Sequence, residues 1–104
     1  MNHDFPSFNE FNEDFEDLRD LLQQFENLKE GRSHSFLDED SFEQIIDYYD
    51  EHDELTNAMQ AVEIAIEQFP FSSALLLKKS ALLIETKKYR EALQLLEKAA
   101  VLDS

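Results

Sequence analysis

Residues 39–70 read EDSFEQIIDYYDEHDELTNAMQAVEIAIEQFP, and residues 73–104 read SALLLKKSALLIETKKYREALQLLEKAAVLDS. A shift of 34 positions lays one on the other. Ala58 then falls on Ala92, Gln60 on Gln94, Glu63 on Glu97, Ala65 on Ala99, and Glu51 on Glu85. Large apolar positions coincide as well: Phe42 with Leu76, Tyr49 with Leu83, Leu55 with Tyr89, Met59 with Leu93, and Val62 with Leu96. Self-similarity at a fixed period of this length marks a repeat architecture, each copy being one supersecondary unit.

Within a copy the period is helical. Phe42, Ile45, Ile46 and Tyr49 follow the i, i+3, i+4, i+7 spacing of one buried helix face. Asp38 or Asp40 can cap that helix, with Glu43 three residues after Asp40. The cluster Asp50-Glu51-His52-Asp53-Glu54 breaks it. A second helix runs from about Leu55 to Phe69, with Ala58, Val62, Ala65 and Ile66 on one side, and Pro70 ends it. Ser72 or Ser73 caps the equivalent helix of the second copy, which carries Leu76, Leu77, Leu83 and Ile84. The polar turn Glu85-Thr86-Lys87-Lys88 leads to a last helix from Tyr89 to about Leu102. Ala58 and Ala65 lie seven apart on one stripe, as do Ala92 and Ala99. Two antiparallel helices approach closely only where one wall lacks bulk, so these stripes are where the first helix of each pair nests.

This pattern resembles the tetratricopeptide repeat (TPR) family, whose repeat is also 34 residues long. The first copy supplies Phe42, Ile46, Tyr49, Ala58, Val62, Ala65 and Pro70; the second supplies Leu76, Ser80, Leu83, Ala92, Leu96, Ala99 and Ser104. Tyr89-Arg90-Glu91-Ala92 is similar to the start of a typical second helix in the family. There are departures. Ile46 stands where the family prefers a small residue, Lys79 stands where Leu is usual, and the family's turn glycine is absent from both copies. The resemblance covers residues 39–104 and implies an all-α, right-handed superhelix of helix hairpins. It also implies a concave groove lined by the first helix of each pair. The residues placed there are Glu43, Asp47, Asp50 and Glu51 from the first copy, and Leu77, Lys78, Ala81, Ile84 and Glu85 from the second. Glu43 and Asp47 occupy positions where some members of the family use basic groups to grip a peptide carboxylate, so that mode is disfavoured.

Residues 1–37 stand apart from the repeats. Phe8, Phe11, Phe15, Leu18, Leu22, Phe25 and Leu28 recur at steps of three or four. They predict an additional acidic, Phe-rich N-terminal helix with a capping box at Ser7 and Glu10, and Gly31 as its stop. Residues 1–7 read as a frayed end, and 31–37 as a connector. A capping helix over the first repeat, self-association, and a segment that fills the groove are all compatible with so aromatic a face. Two repeats are fewer than such arrays usually need. Three explanations stay open: a fragment of a longer array, an end paired with another chain, or burial supplied by the N-terminal helix.

Composition bounds the function. Of the 104 residues 24 are acidic and nine basic, a formal charge of −15. Residues 1–54 hold 18 acidic and three basic residues, and residues 55–104 hold six of each, so the whole excess sits in the first half. Polyanions such as nucleic acid and anionic membrane surfaces are therefore poor partners. No cysteine is present, which excludes disulfides and thiolate chemistry. His52 lies among carboxylates, yet no glycine allows a tight calcium loop there, and an exposed turn is the better reading than a metal site. No Gly-rich phosphate loop and no nucleophile motif occurs, so neither catalysis nor a cofactor is expected. No secretory start and no apolar run of membrane length is seen, which makes the cytoplasm the expected compartment. The reading is a non-catalytic protein–protein interaction module for a basic or amphipathic peptide or protein partner. The alternative is an assembly module that homo-oligomerises, or stacks on further repeats, through an exposed C-terminal helix face. An acidic mimic of nucleic acid is a distant third.

Overall fold

The computed structural model describes residues 8–31 and 36–103, with side chains from residue 16 onward. The residues of the expected capping box at Ser7, the expected frayed start, connector residues 32–35 and Ser104 lie outside the described residues, as do the side chains of Phe8, Phe11 and Phe15. Among the described residues the fold is all-α, with five helices: α1 (Phe8–Lys29), α2 (Glu39–Glu51), α3 (Leu55–Gln68), α4 (Ser73–Glu85) and α5 (Tyr89–Leu102). The chain divides into two compact units, 1–37 and 38–104.

In the first unit α1 ends where Gly31 takes φ 72° and its N–H bonds the carbonyl of Leu28. A left-handed residue at this point is the usual way a helix releases its last carbonyls, and glycine adopts it without a steric cost. Lys29 sits with its ammonium 5.0 Å from the Phe25 ring centroid and 3.0 Å from Glu26. Both attractions place a cation in the last turn, where the helix dipole favours it.

The second unit repeats itself at 34 residues in its backbone as well as its sequence. The bounds of α4 and α5 are those of α2 and α3 plus 34. Asp38 caps α2 by accepting from the Ser41 N–H at 2.7 Å, and Ser72 caps α4 by accepting from the Leu75 N–H at 3.2 Å. Each hairpin turn is closed by the same three backbone bonds. In the first they run from His52 to Tyr48, from Asp53 to Asp50 and from Glu54 to Tyr49, at 3.2, 3.1 and 2.8 Å. In the second they run from Thr86 to Leu82, from Lys87 to Ile84 and from Lys88 to Leu83, at 3.1, 3.0 and 2.8 Å. This is the Schellman arrangement, which requires a left-handed residue just past the helix. With no glycine available, Asp53 (φ 57°) and Lys87 (φ 65°) take that conformation.

The hairpins pack through the alanine stripes. Ala58, Ala61, Val62 and Ala65 of α3, and Ala92 and Ala99 of α5, are all buried. Phe42, Ile45, Ile46 and Tyr49 of α2, and Leu75, Leu76, Leu82 and Leu83 of α4, complete the core. Ile46 and Ser80, equivalent in the repeat, are both buried, and the Ser80 hydroxyl is satisfied by donating to the Leu76 carbonyl at 2.8 Å. Lys79 is accommodated because its ammonium reaches Glu63 on α3, at 3.4 Å. A long aliphatic stem can cover apolar surface while its charged end stays polar. The two first helices are tied at their N-termini, where the Ser72 hydroxyl donates to the Glu39 carboxylate at 2.8 Å. Phe69 closes α3 and meets Phe42 edge-to-face, with ring centroids 6.3 Å apart.

Candidate functional site

The groove residues expected from the sequence lie on α2 and α4. The structure brings four of them together in two cross-helix pairs. The Lys78 ammonium donates to Asp47 at 2.7 Å, joining residues 31 apart in the chain. Asp47 is the more exposed partner, so this is a surface ion pair of modest worth, but it cancels one of the groove's negative charges. Towards the C-terminal ends of α2 and α4 the Asp50 and Glu85 carboxyls come within reach of a hydrogen bond. Glu85 is held above its ordinary value, first by partial loss of water, then by that bond, and then by the negative charges of Asp50 and Asp53.

Glu51 and Ala81 are exposed and Glu43 is half-buried. Leu77 and Ile84 are about half exposed. They stand seven residues apart on α4 with Ala81 between them, so they form one apolar stripe on that helix. The acidic side of the groove is therefore concentrated at Asp50, Glu51 and Glu85, and the apolar side at Leu77 and Ile84. Asp53 was not among the expected residues. Its left-handed backbone swings it past the end of α2, and only the turn geometry shows that its charge bears on Glu85.

His52 is engaged structurally. Its Nδ1 lies 2.8 Å from the Tyr48 carbonyl and its ring stacks on Tyr48 at 4.1 Å. Among the described residues no group of three or more His, Asp or Glu side chains is arranged to hold a metal ion. No helix there is long and apolar enough to cross a membrane.

A cavity of about 440 Å³ lies between α3 and the end of α4, lined by Leu55, Thr56, Met59, Gln60, Glu63, Leu82, Thr86 and Lys88. None of the nine expected groove residues lines it.

Comparison with protein-family models, with curated proteins and with solved structures returns no match.

Proposed function

We propose that residues 38–104 are two tetratricopeptide-type hairpins wound in the right-handed sense of that family. In this reading they act as a non-catalytic module that binds a basic, amphipathic peptide segment of another protein. The identical caps, turn bonds and alanine stripes at a 34-residue spacing support the architecture. The observation that carries the binding reading is the juxtaposition on α2 and α4. Asp50, Glu51 and Glu85 present negative charge beside the exposed apolar side chains of Leu77 and Ile84. Charge then steers a cationic segment to the groove, and apolar contact holds it.

Labelled peptides test this by fluorescence anisotropy. A helical peptide alternating Lys/Arg with Leu binds, and its affinity falls as salt rises, because exposed charges are screened within about 10 Å at 0.1 M. A neutral peptide of the same apolar pattern binds more weakly. Replacing both Leu77 and Ile84 by Asp abolishes binding while the helical circular dichroism stays unchanged. Equal binding of basic, neutral and acidic peptides, or an unaffected double variant, refutes the reading.

A further inference from the structure

The stripe Leu55, Met59 and Val62 on α3 faces α4. Leu55 and Met59 line the cavity at that seam together with Leu82 and Thr86, and Glu63 pairs with Lys79. Val62 is fully buried there. Shifted by 34, the same stripe on α5 is Tyr89, Leu93 and Leu96, and it is exposed by 60%, 58% and 37%. Ala100 extends it by one turn and is exposed too. Ala92 and Ala99, which pack towards α4, are buried on an adjoining face. One helix therefore carries two apolar faces, and the second is uncovered.

From this face we infer that α5 is a homodimer interface in which a second copy of the chain packs its own α5 antiparallel against the first. Charge selects the occupant. Two copies that meet through their first halves bring together surfaces of net −15 each. Helix α5 is balanced, with Arg90 and Lys98 against Glu91 and Glu97. It is also self-complementary. Arg90 and Glu97 lie seven residues apart, so they follow one edge of the stripe. In an antiparallel pair related by a two-fold axis the same edges meet, so each Arg90 faces the other copy's Glu97. An axis midway between Leu93 and Leu96 sets Leu93 of each copy over Leu96 of the other, and bulky Tyr89 over small Ala100. The charge pairs are centred one residue away, so Arg90 and the other copy's Glu97 are offset by two residues, about 3 Å at 1.5 Å rise per residue, which the long arginine side chain spans. A parallel arrangement would instead set the Arg90–Glu97 edge against the opposite edge of the stripe, where Ala92 and Ala99 offer it no charge. This inference stands apart from the groove reading, since α5 contributes none of the groove residues.

Sedimentation equilibrium of the full chain over a range of concentrations tests it, with circular dichroism to verify folding. The wild-type chain self-associates to a dimer and no further, because a two-fold contact closes on itself. Leu93→Glu raises the dimer dissociation constant by at least about tenfold, equivalent to about 1.4 kcal/mol. Arg90→Glu and Glu97→Arg each weaken the dimer, since each faces like charges. An equimolar mixture of these two variants forms a heterodimer again, because every edge then carries a Glu opposite an Arg. A wild-type chain that stays monomeric overturns the inference, as does a dimer indifferent to Leu93→Glu, or a mixture no tighter than its components. A monomer that instead binds a peptide of sequence 71–86, the α4 segment, also overturns it and assigns the face to a further repeat-like helix.

Discussion

Replacing Ala92 by Leu puts three extra carbons into the closest seam of the second hairpin. Ala92 is 2% exposed on α5. Overpacking of this kind costs about 1–3 kcal/mol. The structure places this site towards the lower half of that range. Helix α5 buries only Ala92 and Ala99, its outer face is open, and it can retreat from α4 to relieve the clash. Ala58, the equivalent residue, sits on a helix that packs against both α2 and α4 and has no such retreat. Ala58→Leu therefore costs more than Ala92→Leu, although the two substitutions are chemically the same. For a domain of this size each kcal/mol moves the melting temperature by about 4–8 °C, so Ala92→Leu, at about 1–2 kcal/mol, lowers Tm by about 4–16 °C. Ala81→Leu on the exposed side of α4 is the control. Leucine and alanine have similar helix propensity, and exposed substitutions fall within about 0.5 kcal/mol. Thermal denaturation followed by circular dichroism reads all three. An Ala92→Leu variant that melts with the control, or an Ala58→Leu variant milder than Ala92→Leu, refutes the placement of the stripes.

Two further outcomes follow from the turns and the groove. Lys87→Gly raises stability by about 0.5–1 kcal/mol, the relief of a left-handed side chain less the entropy glycine adds to the unfolded chain, read as a higher urea midpoint. Glu85→Gln raises Tm at neutral pH and leaves it unchanged at strongly acid pH. The folded protein holds the Glu85 proton to higher pH than the unfolded chain does, so wild-type stability declines as pH rises through that raised value. A Tm difference between wild type and Glu85→Gln that does not grow across this window counts against the Asp50–Glu85 contact.

The helix boundaries of the repeat unit were legible from the sequence because local signals agree there: apolar residues at steps of three and four, Asp38 and Ser72 before the runs, Pro70 after one of them. Of the two candidates at each cap, the structure selects Asp38 over Asp40 and Ser72 over Ser73. In both cases the selected residue lies 34 from its counterpart, so the period itself held the answer. The left-handed turns were less legible, because neither Asp53 nor Lys87 is a glycine, and a lysine carries no turn signal of its own. Cross-helix partners were the least legible. Nothing in the spacing of Asp47 and Lys78, 31 residues apart, says that they meet; that depends on how far α4 slides along α2. The same holds for Lys79, which read as a departure from pattern until Glu63 appeared beside it.

In the second unit helices pack mainly on their neighbours in the chain, α2 on α3, α3 on α4 and α4 on α5. Few loops must close before contacts form, so folding is quick, in the range that low contact order gives helical proteins. The same linear wiring makes cooperativity weak at the ends. Helix α5 is anchored by two alanines where α3 is anchored by four buried residues. Its amides therefore exchange with deuterium ahead of those in α3, the hairpin peeling open from its outer edge long before the whole unit melts.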